Sequence, residues 1–417
     1  MTKLFIKDAF LIDGTGATPM KDAGVVVEGE RIAEVGRGLG VPKDAEVIEA
    51  EGRTVMPGLM DLHVHLASES LGRPIRLLEW TNTTPPALKL LHAANNAKKC
   101  LEAGFTTVRN MGTDEKFIWD PSLREAIDLG VVPGPRVLAS ACVMRRSGTF
   151  PYGNYVGMPE PQEPVVRSAD GPYEFRRAVR EAVALGADFI KFFSTGNVGG
   201  AGVKHTWVML TMEEIEAITD EAHRMERRVA CHAHGTQGIQ DAVVGGTDTI
   251  EHGTYLDDEC VELMKERGVY YVPTLSIVHN LITKGEQLKA PPHVLEKARE
   301  TWENHVPSVK KAHAKGVKIA CGTDGAGVWA KCGENGLELE MLVRFGGLTP
   351  MEAIVAATKT SAEAIGRQDQ LGTLETGKLA DLIIVDGNPL KDIKVLQDLS
   401  KIEMVMEGGR VEVNRGL

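Results

Sequence analysis

Residues 212–234 read MEEIEAITDEAHRMERRVACHAH, and this stretch contains the pattern that decides the fold class. Its charged first part, Met212–Arg227, is typical of an amphipathic helix, and the following run, Arg228–Ala233, is typical of a short buried strand. Two histidines, His232 and His234, stand where that strand ends. A helix followed at once by a short apolar strand is the repeating unit of a parallel α/β domain.

The same unit recurs across the middle of the chain. Eight segments have the pattern of a strand, and helical stretches such as Asp257–Arg267 lie between most of them. The strand candidates are Leu59–His65, Phe105–Met111, Arg136–Val143, Asp188–Ser194, Arg228–Ala233, Thr247–Glu251, Val269–Leu275 and Val317–Thr323. Eight such units favour a closed (β/α)8 TIM barrel over an open sheet, and a barrel of this kind carries its active site on the loops after the strands.

The two ends of the chain have a different pattern. Residues 1–57 read as short strands, such as Phe5–Ile12, that are separated by glycines, and residues 371–417 repeat this pattern around Ala380–Val385. Two all-β ends that flank one α/β middle predict a small β-sandwich domain formed from both chain termini. The predicted barrel then occupies residues 58–370.

The composition excludes several classes of protein. The 417 residues are 43% hydrophobic and 25% charged, which is ordinary for a globular protein, and the formal net charge is −11. Such an acidic chain is poorly suited to binding nucleic acid or an anionic membrane surface. The six cysteines include no CxxC pair, and we find neither a signal-peptide pattern nor an apolar run of roughly 18 residues. We therefore expect a cytoplasmic protein that contacts no nucleic acid and no membrane.

Polar residues gather where the predicted strands end. In His63-Val64-His65, at the end of the first strand, alternation puts both imidazoles on one face. The fifth, sixth and eighth strands end in the same way. The residues at these four strand ends are His63, His65, His232, His234, His252 and Asp324. Imidazole and carboxylate groups that converge on a barrel mouth are typical ligands of divalent metals, so the pattern predicts a metal site.

Lys191 lies in the fourth strand among apolar residues, in the run Phe189–Phe193. A bare ammonium group that points into a set of metal ligands would repel the cations and carry a desolvation cost. Two interpretations remain. Either the aliphatic stem packs while the ammonium reaches water, or the amine is carboxylated and becomes an anion that can bridge two metals.

This ordered set of residues resembles the binuclear amidohydrolase superfamily, and within it the imidazolonepropionase-like and Xaa-Pro dipeptidase (prolidase)-like branch. The motifs that carry the resemblance are Val55–Asp61, His232–Gly235, Ile250–Gly253, Gly322–Asp324 and Gly372–Asp386. The resemblance implies two divalent metal ions. Zinc is favoured by the ligand types, although manganese, cobalt or iron suits the same groups. The implied ligands are His63, His65 and Asp324 for one ion, His232 and His252 for the other, and carboxylated Lys191 as the bridge.

The resemblance also implies two catalytic roles. Asp324 would take a proton from the attacking water and pass it to the leaving amine. His234, on the same face as His232, would donate a hydrogen bond to the substrate carbonyl oxygen as charge builds there. The alternative for His234 is a packed polar residue beside the ligands.

Candidate substrate-binding residues lie on the loops after the strands. The loop at residues 144–152 reads MRRSGTFPY and departs from the Thr-Gly-Gly-His run that relatives in this branch commonly show. Arg145 or Arg146 could clamp a substrate carboxylate, because a guanidinium fork matches carboxylate geometry, and either could instead be a solvated surface residue. Tyr152 in this loop and His279 after the seventh strand are further candidates.

Four histidines in helix-like stretches, His92, His223, His305 and His313, are expected to lie in solvent. His205, in a glycine-rich loop, either reaches the site from this loop or is exposed, and exposure is favoured.

The leading hypothesis is a metal-dependent amidohydrolase that uses metal-activated hydroxide on an amide-type C–N bond. Its small-molecule substrate would be a dipeptide of the Xaa-Pro type or an N-acyl amino acid. Carbamates, phenylureas, esters and cyclic amides are the alternative substrates, because the loop at 144–152 differs from that of relatives. A barrel without metals is disfavoured, since all six ligand positions are filled by suitable residues. Because relatives assemble, we expect a homo-oligomer.

Overall fold

The structure, a computed structural model, describes residues 3–68, 84–112, 119–148, 166–200, 202–325, 327 and 329–417. Tyr152 lies outside the described residues. The strands are β1 (Lys3–Leu11), β2 (Met20–Glu28), β3 (Arg31–Arg37), β4 (Ala45–Glu49), β5 (Thr54–Pro57), β6 (Leu59–Val64), β7 (Phe105–Asn110), β8 (Arg136–Ala139), β9 (Val143–Arg145), β10 (Val166–Ser168), β11 (Phe189–Phe193), β12 (Arg228–Ala233), β13 (Thr249–His252), β14 (Tyr270–Val272), β15 (Leu382–Val385), β16 (Ile402–Glu407) and β17 (Arg410–Asn414).

Helices occupy most of the connections between the central strands. The α-helices are α1 (Pro86–Glu102), α2 (Asp120–Asp128), α3 (Pro172–Ala184), α4 (Met212–Arg224), α5 (Thr236–Val244), α6 (Asp258–Arg267), α7 (Leu275–Lys284), α8 (Pro292–Ala314), α9 (Leu337–Met341), α10 (Pro350–Val355) and α11 (Ser361–Ala364). Short π-helical turns are Leu342–Gly346 and Ala356–Thr360, and 3-10 turns are Ile393–Gln397 and Leu399–Lys401.

Strands from both ends of the chain form one eight-stranded sheet. Its order is β17-β16-β15-β5-β1-β2-β3, and β4 pairs with β1. The two ends meet in the antiparallel pair of β5 and β15, where Val55 lies opposite Ile384. A buried cluster that includes Ile6, Val25 and Leu382 packs on this sheet. Removal of these apolar side chains from water holds the first and last segments of the chain together.

The middle of the chain forms two parallel sheets, of order β6-β7-β8 and β10-β9-β11-β12-β13-β14. The amide of Asp188 donates to the carbonyl of Ala139 at 2.8 Å, which links the two sheets on one side. Parallel strands joined by helices bury both of their faces, which explains the near-continuous apolar runs of the sequence. The predicted α/β class is confirmed.

The segment Val317–Thr323 is not a regular strand, although an eighth strand was predicted there. It lies between β14 and β6 and pairs with them through isolated bridges, Tyr271–Ile319 and Val64–Gly325. Asp324 has a left-handed φ of 54°, a conformation that ends extended geometry. Isolated bridges in place of a continuous ladder therefore connect the segment to its two neighbours, and the chain turns at Asp324, directly after the segment.

The third predicted strand, Arg136–Val143, is divided. β8 ends at Ala139, β9 begins at Val143, and Ala141 between them has a φ of 61°. The left-handed residue turns the chain, so that β9 pairs with β11 while β8 pairs with β7. Apolar periodicity alone did not reveal this turn, because alanine and cysteine fit a strand as well as a bend.

The helix α4 illustrates how local sequence specifies these elements. Thr211 and Glu214 form a reciprocal capping box at its start, which satisfies two of the free backbone amides. Its buried face includes Ile215, Ile218 and Ala222, at the spacing of successive helical turns. Among the described helices, none combines the length and the apolar character that crossing a membrane requires.

Candidate active site

Two groups of potential metal ligands lie at the ends of the central strands. In each group the ligand atoms are within 4.8 Å of one another. The first group is His63, His65 and Asp324, and the second is His232, His234 and His252. The two groups adjoin, because the ring centroids of His63 and His252 are 4.9 Å apart. The structure therefore brings together all six histidine and aspartate side chains that the sequence placed at strand ends.

Strand register explains why these side chains converge. His232 on β12 lies opposite Glu251 on β13, and Ala233 lies opposite His252. His252 has a left-handed φ of 69°, as Asp324 does at 54°. Such backbone conformations are costly for residues with a Cβ and persist where the surrounding structure enforces them, which occurs most often at functional sites.

Hydrogen bonds select the tautomer of three of these histidines. His63 Nδ1 lies 2.8 Å from Glu251 Oε2, His65 Nδ1 contacts the carbonyl of Gly112, and His232 Nε2 lies 3.0 Å from the carbonyl of Gly196. Carbonyl and ionised carboxylate oxygens only accept hydrogen bonds, so these three nitrogens donate. The other ring nitrogen of each imidazole then carries a lone pair, which is the state that a metal ligand requires.

Burial keeps the imidazoles neutral. Desolvation lowers the pKa of His63, His232, His234 and His252 well below the usual value. Burial acts against ionisation of Asp324, but the hydrogen bond from His65 and the electrostatic influence of His63, His65 and Lys191 outweigh it and lower the Asp324 pKa to about 2. Neutral imidazoles beside an ionised carboxylate are the protonation states in which these groups bind a divalent cation.

Lys191 is buried beside both groups and has no partner for its charge. Its side chain is 2% exposed, and its Nζ has no hydrogen-bond acceptor among the described residues. Its Nζ lies over the ring of Phe193, 5.7 Å from the ring centroid. Desolvation lowers the Lys191 pKa to about 8. The first of the two interpretations, a lysine head that reaches water, is therefore wrong.

The profile of the Amidohydrolase family matches residues 54–411. The chain belongs to the amidohydrolase family. It is 32% identical to an ochratoxinase of Aspergillus niger over an alignment 435 positions long, which covers 98% of this chain and 86% of the relative.

Solved amidohydrolase structures superimpose on the whole chain. A Xaa-Pro dipeptidase with methionine bound in its active site is 34% identical, with a TM-score of 0.87 and coverage of 98% of this chain and 99% of that chain. A prolidase complexed with N-methylphosphonate-L-proline is 31% identical, with a TM-score of 0.88 and full coverage of both chains. The resemblance to prolidase-like amidohydrolases is confirmed, and the protein is a hydrolytic enzyme.

Sequence reasoning missed the polar groups that hold the ligands of this amidohydrolase. Asp61, fully buried, accepts hydrogen bonds from the amides of His63 and Thr323, from the Thr323 hydroxyl at 2.6 Å and from Asn335 Nδ2 at 2.7 Å. It thereby joins the end of β6 to the segment that carries Asp324. The available signal was a carboxylate within an apolar strand, because a buried charge always needs partners.

Three further histidines of the amidohydrolase are buried, although solvent exposure was expected. His305 on α8 is fully buried, and His92 on α1 is 9% exposed. His205 is 4% exposed, with Nε2 3.0 Å from Tyr255 Oη and its ring centroid 5.8 Å from that of His234. Loop residues usually lie at the surface, but the loop that carries His205 is held against α8, where Lys297 donates to the carbonyls of Gly200 and Val203 at 2.6 Å each.

The substrate-binding candidates have different surroundings. Arg145 is buried at the end of β9. Val143, two residues earlier on the same strand, lies opposite Lys191 on β11. Because side chains two residues apart share a face of a strand, Arg145 lies on the same face of the sheet as Lys191. Arg146 is exposed. His279 belongs to α7 and not to a strand end, and its ring lies 5.7 Å from that of Trp302.

Proposed function

We propose that this amidohydrolase cleaves the amide bond of dipeptides of the Xaa-Pro type or of N-acyl amino acids. The observation that supports this proposal most directly is the pair of adjoining ligand groups. Beside them lies the buried Lys191, whose Nζ has no hydrogen-bond acceptor among the described residues. Membership of the amidohydrolase family makes metal-dependent amide hydrolysis the general activity. The substrate class is what we propose beyond this general activity.

We propose that residues 58–370 form a closed (β/α)8 barrel and that residues 1–57 and 371–417 form one β-domain beside it. Hydrogen bonds between the parallel sheets on one side and the bridges of segment 317–325 on the other side support closure. The sheet shared by both chain ends supports the second unit. In such a barrel the site lies at the carboxyl ends of the strands, which is where the ligand groups are.

We propose that the two groups hold two divalent ions, with zinc favoured because imidazole and carboxylate suit it. His63, His65 and Asp324 would hold one ion, and His232 and His252 would hold the other. Lys191, carboxylated on its amine, would supply an anionic ligand to both ions, which would account for a buried Nζ that has no partner among the described residues. When bound, such ions would lower the pKa of a coordinated water to about 7 and would polarise a carbonyl group.

The chain's own residues supply the proton transfers. Asp324 is ionised and half-buried, so it can take the proton of the attacking water and deliver it to the leaving amine. His234 is a neutral imidazole held by Thr254, whose Oγ1 lies 2.7 Å from Nδ1. Its other nitrogen can donate to the carbonyl oxygen when Thr254 serves as the donor to Nδ1.

An amino-acid carboxylate is the substrate feature that Arg145 suits. One solved relative holds methionine in its active site and another holds a phosphonate analogue that contains L-proline. In this chain Arg145 is buried at a strand end on the face of Lys191, where a guanidinium fork could bind such a carboxylate. Carbamates, phenylureas, esters and cyclic amides remain the alternative, because the run at 144–152 departs from that of relatives. A homo-oligomer in the cytoplasm remains our expectation.

The test is a hydrolysis screen of the zinc-loaded protein against Xaa-Pro and other dipeptides, N-acyl amino acids, and aryl carbamates and ureas. Released amino acid and released arylamine are measured separately. We expect amino-acid release that Arg145→Met slows through KM and Arg146→Met leaves unchanged. Release of arylamine without release of amino acid would instead show that the enzyme acts on the alternative substrates. Absence of hydrolysis in every class would contradict the proposal.

A further inference from the structure

A buried ion pair lies behind one of the two ligand groups. Glu251 Oε2 accepts a hydrogen bond from His63 Nδ1 at 2.8 Å, and Glu251 Oε1 accepts one from Arg109 Nη2 at 2.7 Å. Thr249 Oγ1 donates to the same Oε1. Glu251 and Thr249 are fully buried, and Arg109 and His63 are 2% and 1% exposed. The proposed water chemistry uses neither Arg109 nor Glu251.

The pair joins three strands into one closed arrangement. Arg109 lies on β7, and its Nε donates to the carbonyl of Leu62, the residue before His63 on β6, at 2.8 Å. Glu251 lies on β13, immediately before His252. The guanidinium therefore contacts both the backbone that carries His63 and the carboxylate that contacts the His63 ring. Movement of that ring requires breaking a charge-assisted hydrogen bond inside a dry interior, where such bonds are strongest.

The pair distinguishes His63 from the other histidine ligands. His65 and His232 donate their outward-facing N–H groups to neutral backbone carbonyls, and His252 Nδ1 faces the hydroxyl of Thr274 at 2.8 Å. Within these four described ligands, a carboxylate lies behind the His63 ring alone. An anionic acceptor raises the electron density on the opposite ring nitrogen, which makes the imidazole a stronger metal ligand.

Both carboxylate oxygens of Glu251 accept hydrogen bonds. One oxygen is occupied by His63, and the other by Arg109 and Thr249. Three described groups thus hold both oxygens of the carboxylate in place, whereas the Nζ of the neighbouring Lys191 has no acceptor among the described residues.

We propose that Arg109 and Glu251 are positioning residues that make the His63–His65–Asp324 position the tighter of the two metal positions. The inference rests on the proposed metal centre. Glu251 orients and strengthens His63 as a ligand, and Arg109 acts through Glu251 by holding its carboxylate in place.

The experiment measures zinc affinity and needs no substrate. Metal-free full-length protein is titrated with Zn²⁺ in competition with a chromophoric chelator, which resolves the stepwise dissociation constants. Co²⁺ absorption spectra report ligand geometry independently. The variants are Glu251→Gln, Arg109→Met, Arg109→Lys and the double variant Glu251→Gln/Arg109→Met. Asp381→Asn is the matched control, because Asp381 is a buried carboxylate paired with Arg136 at 2.6 Å outside both ligand groups.

We expect Glu251→Gln to weaken the tighter zinc site by 10–100-fold, the range typical of lost partners behind metal ligands, and to change the weaker site by less than about threefold. Arg109→Met should weaken the same site, Arg109→Lys should restore part of the loss, and the Arg109→Met effect should disappear in the Glu251→Gln background. Asp381→Asn should bind zinc as the wild type does.

Wild-type zinc affinity in soluble Glu251→Gln would overturn the inference while the proposed metal centre stands. Equal weakening of both sites, or equal weakening by Asp381→Asn, would also overturn it. If Arg109→Met is insoluble, Arg109→Lys alone decides the contribution of the guanidinium fork. Wild-type protein that binds no zinc would contradict the proposed function itself, which is a separate outcome.

Discussion

Replacing Lys191 by methionine should stabilise the metal-free protein. The Lys191 side chain is 2% exposed, its Nζ has no acceptor in the described part of the chain, and burial lowers its pKa from 10.5 to about 8. Methionine keeps a similar unbranched shape and removes the charge. The folded metal-free protein therefore loses an unfavourable group and gains apolar burial.

The magnitude follows from the two pKa values. A difference of about 2.5 corresponds to about 3 kcal/mol of lost stability when the amine is protonated. Because the pKa in the folded state is the lower one, this stability is present above pH 10.5 and is lost as the pH falls through 8. The stability gain of Lys191→Met should thus be about 3 kcal/mol at pH 7 and about 1.4 kcal/mol at pH 9.5.

Urea unfolding of protein treated with a chelator measures this difference at both pH values. Lys318→Met is the control, because Lys318 pairs with Glu363 at 2.7 Å near the surface and should change stability by only about 0–1 kcal/mol. Saturating zinc should reverse the order, because a ligand stabilises the protein that binds it more tightly. A destabilised Lys191→Met in metal-free form, or a gain that does not depend on pH, would refute the reasoning.

Four other changes test separate parts of the structure. Asp324→Asn should keep bound metal and lower kcat by about 10²–10⁴-fold, and normal turnover would remove Asp324 from proton transfer. His234→Asn should lower kcat by about 10²-fold with both metals retained, whereas loss of one metal in elemental analysis would make it a ligand. Burial raises the Glu407 pKa in the folded protein to about 8. The contribution of Glu407 to the free energy of unfolding is therefore fully present below the pKa of the unfolded chain and is lost as the pH rises through 8. Glu407→Gln should remove that decline, about 3–5 kcal/mol by urea unfolding, and an unchanged pH profile would contradict it. Lys297 donates to two carbonyls of the loop after β11 at 2.6 Å each, and Lys297→Met should speed hydrogen exchange in that loop by about tenfold or more. Wild-type exchange rates there would show that these bonds do not hold the loop.

The elements that the sequence predicted best are those whose identity depends on local periodicity. The run Arg228–Ala233 is a strand as predicted, and α4 begins at the capping residue Thr211. Periodicity was less informative where a single residue leaves the regular conformation. A left-handed φ at Ala141 divides one predicted strand, and a left-handed φ at Asp324 turns the chain directly after another predicted strand, Val317–Thr323. No run of apolar residues predicts either conformation.

In the site, too, some features follow from local sequence and others depend on tertiary structure. By alternation the sequence placed His63, His65, His232 and His234 on the inward side of their strands, because a side chain's face in a strand depends only on its neighbours along the chain. Alternation could not identify the hydrogen-bond partners of buried groups, because these partners are far apart in the sequence. Arg109 and Glu251 are 142 positions apart, and Asp61 and Asn335 are 274 positions apart. The burial of two histidines likewise depends on tertiary packing: His205 lies in a loop that packs against α8, and His305 lies on α8 itself. Sequence therefore determined which residue types stand at the strand ends, whereas tertiary structure decided their partners, solvent access and protonation. The physical reason is that these properties arise from distances between segments that only the folded chain brings together.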